Sequence, residues 1–282
     1  MAADITAIIL TKDEEINIGD CIDSIKKVVK RIVVVDSFSN DRTVEIAKDK
    51  GAEVYQHSFE NYARQYMYAV SVAKIDTKWT LRIDADERLT DESGEELQNI
   101  CNENMKSEVA GVVLRFRKNF LGKDLYHGGV YPWKKMNCYK TELGKIEDRK
   151  MDEHILLSSG TITEMKSDCL HYDFKDLEYF INKHNWYSSR ETVDYFEYIE
   201  NGKKVTNFKT WIKMNIYYKL PLGMRAHLYY IYRYYLKGGF LDGKEGKIYA
   251  FLQAYWYRFL VDSKIYECKI MHIRYRGEGS LK

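Results

Sequence analysis

Four short apolar runs, each ending in a polar loop and separated by helix-patterned stretches, leave the opening of this chain few ways to fold. Ile5 to Leu10 is β-branched and apolar, which predicts a buried strand, and Thr11-Lys12-Asp13-Glu14-Glu15 then carries helix-starting chemistry for a helix from about Asn17 to Val29. Arg31 to Val35 is a second strand ending at Asp36. The polar loop Ser37 to Thr43 leads into a helix from Val44 to Lys50, which Gly51 stops. Ala52 to Tyr55 reads as a third strand, Asn61 to Ala73 as a helix, and Trp79 to Ile83 as a fourth strand. Strand and helix alternate over about 85 residues, which implies right-handed crossovers and a parallel sheet. Thr11, Asp36 and Asp84 then lie just past carboxyl ends of strands, on one rim, where open α/β sheets bind ligands.

The fourth strand delivers the most telling chemistry. Trp79, Leu81 and Ile83 run straight into Asp84-Ala85-Asp86, so two carboxylates arrive together at the rim. Hard oxygen donors at this spacing suit Mg²⁺ or Mn²⁺ and leave positions open for water and substrate phosphates. Acidic pairs at strand ends also serve as turn formers and caps, so the pair gains weight only from the motifs upstream. No G-x-G-x-x-G follows the first strand, and T-K-D-E-E is neither glycine-rich nor basic. That excludes phosphate cradling of the dinucleotide or P-loop kind.

Composition narrows the classes further. The chain has 282 residues with 44 basic and 42 acidic side chains, a net charge of +2 that gives no general reason to bind nucleic acid. Five scattered cysteines with no C-x-x-C pair argue against a disulfide framework or a zinc site, and a reducing cytoplasm is expected. The apolar run at the start is too short for a signal peptide, and no unbroken apolar stretch of about 18 residues predicts a membrane span.

Further on, Glu95 to Asn104 reads as a helix, with strands at Val109 to Arg117 and Met136 to Tyr139. The loop His127-Gly128-Gly129-Val130-Tyr131-Pro132-Trp133 lies between those strands, and its His127 and Trp133 suit either core packing or a ligand's ring. The character changes past Asp176, which divides the chain into a domain at 1–176 and a helical, basic, aromatic region at 177–282. Lys203 to Lys237 holds eight Lys or Arg and no Asp or Glu, interleaved with tyrosines. Helical patterning from Leu222 to Leu236 suits either a cover for the first domain or peripheral contact with a membrane surface.

Taken together, I-I-L-T-K-D-E-E, V-V-V-D-S-F-S-N-D-R-T and R-I-D-A-D-E resemble the nucleotide-binding half of family-2 inverting glycosyltransferases, especially the small bacterial enzymes that build lipopolysaccharide cores and surface polysaccharides. The G-F-L-D-G at Gly239 to Gly243 is also similar to these enzymes. The resemblance implies the nucleotide-diphospho-sugar transferase (GT-A type) fold, a mixed Rossmann-like sheet flanked by helices. It implies a UDP-sugar donor, a glycan or lipid-linked glycan acceptor, and Mn²⁺ or Mg²⁺. Thr11 and Glu14 would line the nucleoside pocket, Asp36 would meet the nucleobase, and Arg64 would approach the uracil or the phosphates. Asp84 and Asp86 would hold the metal, with His171 of C-L-H-Y-D completing its site. Inversion needs a carboxylate to take the acceptor's proton, for which Glu153 or Asp152 in M-D-E-H is the first candidate, followed by Glu147 and Asp148. Two other classes remain: an inert sugar-nucleotide-binding scaffold, and a sugar nucleotidyltransferase that releases pyrophosphate, although the latter wants a glycine-rich, basic loop after the first strand and T-K-D-E-E is the opposite.

Overall fold

β1 (Ala3–Thr11) is buried along most of its length, and the sheet grows outward from both its edges. A computed structural model describes residues 2–147, 154–201 and 220–275. After β1 come α1 (Ile18–Ile25), β2 (Val29–Asp36), α2 (Thr43–Asp49), β3 (Glu53–Gln56), α3 (Tyr62–Ala73) and β4 (Trp79–Arg82). β5 (Glu87–Arg88), α4 (Asp91–Glu103), β6 (Val109–Phe120), β7 (Lys123–Leu125) and β8 (Trp133–Lys140) follow. The last strands are β9 (Gly144–Ile146), β10 (Ile155–Leu157) and β11 (Thr161–His171). The main sheet runs β3-β2-β1-β4-β8-β6-β11-β5, with β7 on β6.

β1 pairs with β2 and β4 in parallel, and β2 with β3, as the strand-helix alternation requires. β8 then runs antiparallel to both β4 and β6, so the sheet is mixed beyond its fourth strand. Ile5, Ala7 and Ile9 of β1 pack with Ile18, Cys21, Ile22 and Ile25 of α1 and with Trp79 and Leu81 of β4. On the opposite face Ile8, Val33 and Val35 pack with Ala63, Tyr66 and Ala69 of α3. Both faces of these strands are therefore covered, which is why they read as continuous apolar runs rather than alternating ones.

Several boundaries differ from expectation. α1 stops at Ile25 rather than Val29, because Val29 pairs with Ala3 and the β-branched residues belong to the sheet. α4 starts at Asp91 rather than Glu95, since Thr90 and Ser93 form a reciprocal capping box. β8 begins at Trp133 rather than Met136, which brings Trp133 and Lys135 into the sheet.

By internal contacts the chain forms two compact units, Met1–Lys118 with Pro132–Asp173, and Asn119–Tyr131 with Phe174–Lys282. The second unit is built on α5 (Leu177–Asn201), α6 (Met224–Ile231), α7 (Gly243–Ala250) and α8 (Tyr257–Met271), with π-helical turns at Tyr232–Leu236 and Phe251–Trp256. Its core gathers Tyr195 and Phe196 of α5 with Tyr257, Val261, Ile265 and Cys268 of α8. Beside that core Arg225 and Asp262 form a buried ion pair, and Asp262 also accepts the Gly223 amide.

Candidate functional site

Two loops are laced together at the rim of the first unit. Thr11 and Asp36 end β1 and β2 as register partners, and the loops that follow exchange hydrogen bonds at several points. The Glu14 amide donates to Thr43 Oγ1 (2.8 Å), the Glu15 amide to Asp41 Oδ2 (3.0 Å), and the Asn40 amide to Asp13 Oδ1 (2.7 Å). Asp36 is fully buried. Its carboxylate accepts from Thr11 Oγ1 (3.2 Å), the Ser39 amide (2.9 Å), the Ser39 hydroxyl and Gln56 Nε2 (3.1 Å). Those four donors match the capacity of a carboxylate, so Asp36 braces the turn, and a nucleobase would reach it only by displacing one of them. Glu14 Oε2 accepts from Asn17 Nδ2 (2.8 Å), and Arg64 lies exposed in the first turn of α3, capped by Asn61.

The acidic turn follows β4 on the same rim. The Glu87 amide donates back to Asp84 O (2.9 Å), and the Asp84 amide donates to Glu87 Oε2 (3.0 Å), so Glu87 closes the D-A-D-E turn from beneath. β11 runs antiparallel to β5 with His171 opposite Glu87, and the Tyr172 amide donates to Asp86 O (2.8 Å). This pairing, which links residues far apart in the chain, brings His171 Nε2 to 3.6 Å from Asp86 Oδ2. His171 is nearly buried, its ring tilts against Trp133 with centroids 4.7 Å apart, and its Nδ1 has no hydrogen-bond partner among the described residues.

Asp84 takes a different partner. Lys135 Nζ lies 3.1 Å from Asp84 Oδ2 and 2.7 Å from Glu87 Oε1, and 4.0 Å from the centre of the Trp133 ring. Neither Lys135 nor Glu87 stood out in the sequence. The signal was a third carboxylate directly after D-A-D: a wholly buried Glu needs a cation, and the lysines at the start of β8 can supply one.

The electrostatics follow from this packing. Burial works against the charge on Asp84, but the Lys135 and Arg82 cations and the Lys135 hydrogen bond outweigh it and hold the carboxyl well below its usual range. For Glu87 burial prevails, with Asp84 and Asp86 adding to it against Lys135, and the carboxyl is raised. Lys135 is raised as well: burial opposes its charge, and Asp84 and Glu87 more than compensate. The Cys21 thiol, 3.5 Å from Asp84 O, is pushed up by burial and then by Glu87, Asp86 and Asp84.

The residues expected to suit an acceptor belong to different units. Trp133 belongs to the acidic turn's surroundings in the first unit. His127 lies in the second unit, where Asp242 of G-F-L-D-G accepts from the amides of Tyr126 (3.1 Å) and His127 (2.8 Å) and pairs with His127 Nδ1 (2.8 Å). Asp242 thus pins the glycine-bearing loop within that unit. Gly246 packs so closely on the backbone of Gly239 that a Cβ there would meet Gly239 O at 2.4 Å. Glu153, Asp152 and Asp148 lie outside the described residues. The β9–β10 hairpin flanks them in sequence, with the Glu147 amide donating to His154 O (2.8 Å).

Residues 6–156 match glycosyl transferase family 2. The chain belongs to that family, and it is a glycosyltransferase with a mixed sheet flanked by helices and a helical C-terminal region. It is similar to an uncharacterized glycosyltransferase of Rickettsia prowazekii, 27% identical over 248 residues that span 84% of this chain and 81% of the relative. It is likewise similar to the lipopolysaccharide core biosynthesis glycosyltransferase LpsC of Rhizobium meliloti, 27% identical over 89% of this chain and 90% of that protein. Among solved structures, glucosyl-3-phosphoglycerate synthase from Mycobacterium tuberculosis, crystallised with Mn²⁺, UDP and glucosyl-3-phosphoglycerate, aligns at a TM-score of 0.41 and 15% identity. That alignment covers 63% of this chain and 75% of the other.

Proposed function

We propose that this glycosyltransferase moves a hexose from a UDP-sugar to a hydroxyl of a glycan or lipid-linked glycan, with inversion and with the help of a divalent cation. The observation that carries this reading is the convergence of Asp86 and His171 on the rim that also bears Thr11 and Asp36. Asp86 Oδ2 and His171 Nε2 fit two places on one ion, and Mg²⁺ or Mn²⁺ held by few protein groups takes its remaining ligands from phosphates and water. Among the described residues no cluster of three or more His, Cys, Asp or Glu is arranged to hold a metal. Bound there, the cation would neutralise charge on the leaving diphosphate.

The chain's own residues supply the rest. Thr11, Glu14 and Arg64 form walls of the nucleoside and phosphate site, and Asp36 meets the nucleobase there in exchange for one of its present donors. Glu153, or Asp152 beside it, takes the proton of the attacking hydroxyl. We assign the transferase domain to residues 1–176 and a helical, basic, aromatic C-terminal region to 177–282. The likeness to LpsC supports a cell-surface polysaccharide as the acceptor class.

UDP with Mn²⁺ is expected to raise the melting temperature of the wild type, and Asp86→Ala to abolish that rise while the variant stays folded. Equal stabilisation of both proteins would sink the metal assignment.

Contact with the inner face of the cytoplasmic membrane is part of the same proposal. No helix among the described residues is long and apolar enough to cross a membrane. The second unit nevertheless leaves Leu228, Tyr235, Leu236, Phe240 and Leu241 largely exposed, in a region whose adjoining sequence is basic. Apolar and tyrosine side chains enter the interface while lysine and arginine meet anionic headgroups. The protein should co-sediment with anionic liposomes at low salt and release at high salt. Failure to bind even at low salt would make the exposed residues a cover for another protein surface.

A further inference from the structure

Three carboxylates meet in the D-A-D-E turn, and they differ in the partners that already occupy them. Glu87 is wholly buried, with Oε2 taken by the Asp84 amide and Oε1 by Lys135. An ionised carboxylate in that position is tolerable only while its partner stays, so the Lys135 ammonium cannot leave without stranding a charge. The same ammonium reaches Asp84 Oδ2 and rests over Trp133, whose indole tilts against His171. A cation over an indole face gains further attraction, which holds it in this orientation. Asp86 stands apart from this arrangement and faces His171.

We propose that Lys135 is the resident cation of the acidic turn: it occupies Asp84 and Glu87, leaves one place for a divalent ion at Asp86 and His171, and makes Asp84 a positioning residue rather than a metal ligand. Without the ammonium, Asp84 would turn to the ion, and the turn would bind metal more tightly or take a second equivalent. A neutral side chain at 135 therefore has an effect opposite in sign to ordinary damage. This inference rests on the proposed metal site, but its test separates the two.

Mn²⁺ binding by the full-length protein, followed by electron paramagnetic resonance of the free ion with UDP present, decides it. Asp86→Asn should lose at least about tenfold in Mn²⁺ affinity, the scale on which metal-site residues act, whereas Asp84→Asn should keep most of the wild-type affinity. Lys135→Met should bind Mn²⁺ more tightly than the wild type or bind a second equivalent. Where Lys135→Met alone fails to fold because Glu87 is stranded, Lys135→Met/Glu87→Gln removes that charge and still frees Asp84, and the same gain is expected of it. Loss of Mn²⁺ by Asp84→Asn as complete as that of Asp86→Asn overturns the proposal and leaves the metal site standing; unchanged or weaker binding in the lysine variants does the same. Binding by the double variant but not by the wild type would overturn the metal reading and support Lys135 as the resident cation. No binding by any of these proteins would overturn both.

Discussion

Glu153→Gln is expected to lower turnover by about 10²-fold or more while nucleotide binding stays intact, the usual scale for a lost general base. Glutamine keeps nearly the same volume and cannot accept a proton at neutral pH, so the substitution separates proton transfer from pocket shape. Asp152→Asn is the paired control. If it is the inactive variant and Glu153→Gln is nearly normal, the two roles are exchanged. Full activity in both moves the base elsewhere, with Asp148 next. UDP affinity measured beside the rate is essential, because only a loss of rate with intact binding speaks for proton transfer.

The second large effect concerns stability. Trp79→Ala should cost about 3–5 kcal/mol, the range for truncating a buried tryptophan. Trp79 is fully buried at the start of β4, opposite Ile5 of β1 and Lys140 of β8, and its Nε1 donates to Cys101 O (3.2 Å) at the end of α4. Its loss would open a cavity where the central strands meet α4 and leave the Cys101 carbonyl without that donor. Total stabilities of about 5–15 kcal/mol are usual, so much of the fold's margin would go. Urea unfolding measures it through the midpoint. A loss under about 1 kcal/mol would show that the neighbourhood collapses to fill the space.

Much of the first unit was legible because its chemistry is local. Ile5 to Leu10, Arg31 to Val35 and Trp79 to Ile83 are too uniformly apolar to lie on a surface, and the polar loops after them could only turn at the ends of a buried sheet. That reasoning placed Thr11, Asp36 and the aspartates of the acidic turn on one rim. It stumbled at Val29, where a β-branched residue satisfies either a helix's apolar face or the first pairing of a strand. Only its alignment with Ala3 decided for the strand.

The sequence by itself determined the alternating strands and helices, the rim to which they deliver their carboxylates, and the family to which the chain belongs. Those follow from side-chain hydrophobicity and from turn chemistry, which act between near neighbours. The tertiary structure alone decided which charges face one another. Asp84 and Asp86 are one residue apart, yet one meets Lys135 of β8 and the other His171 of β11, because β8 lies beside β4 and β11 pairs with β5. Asp36, the most suggestive carboxylate of the upstream loops, proved to have its acceptor sites filled by Thr11, Ser39 and Gln56. A carboxylate's role is set by the donors that reach it, and sheet order and register, rather than spacing along the chain, bring them there.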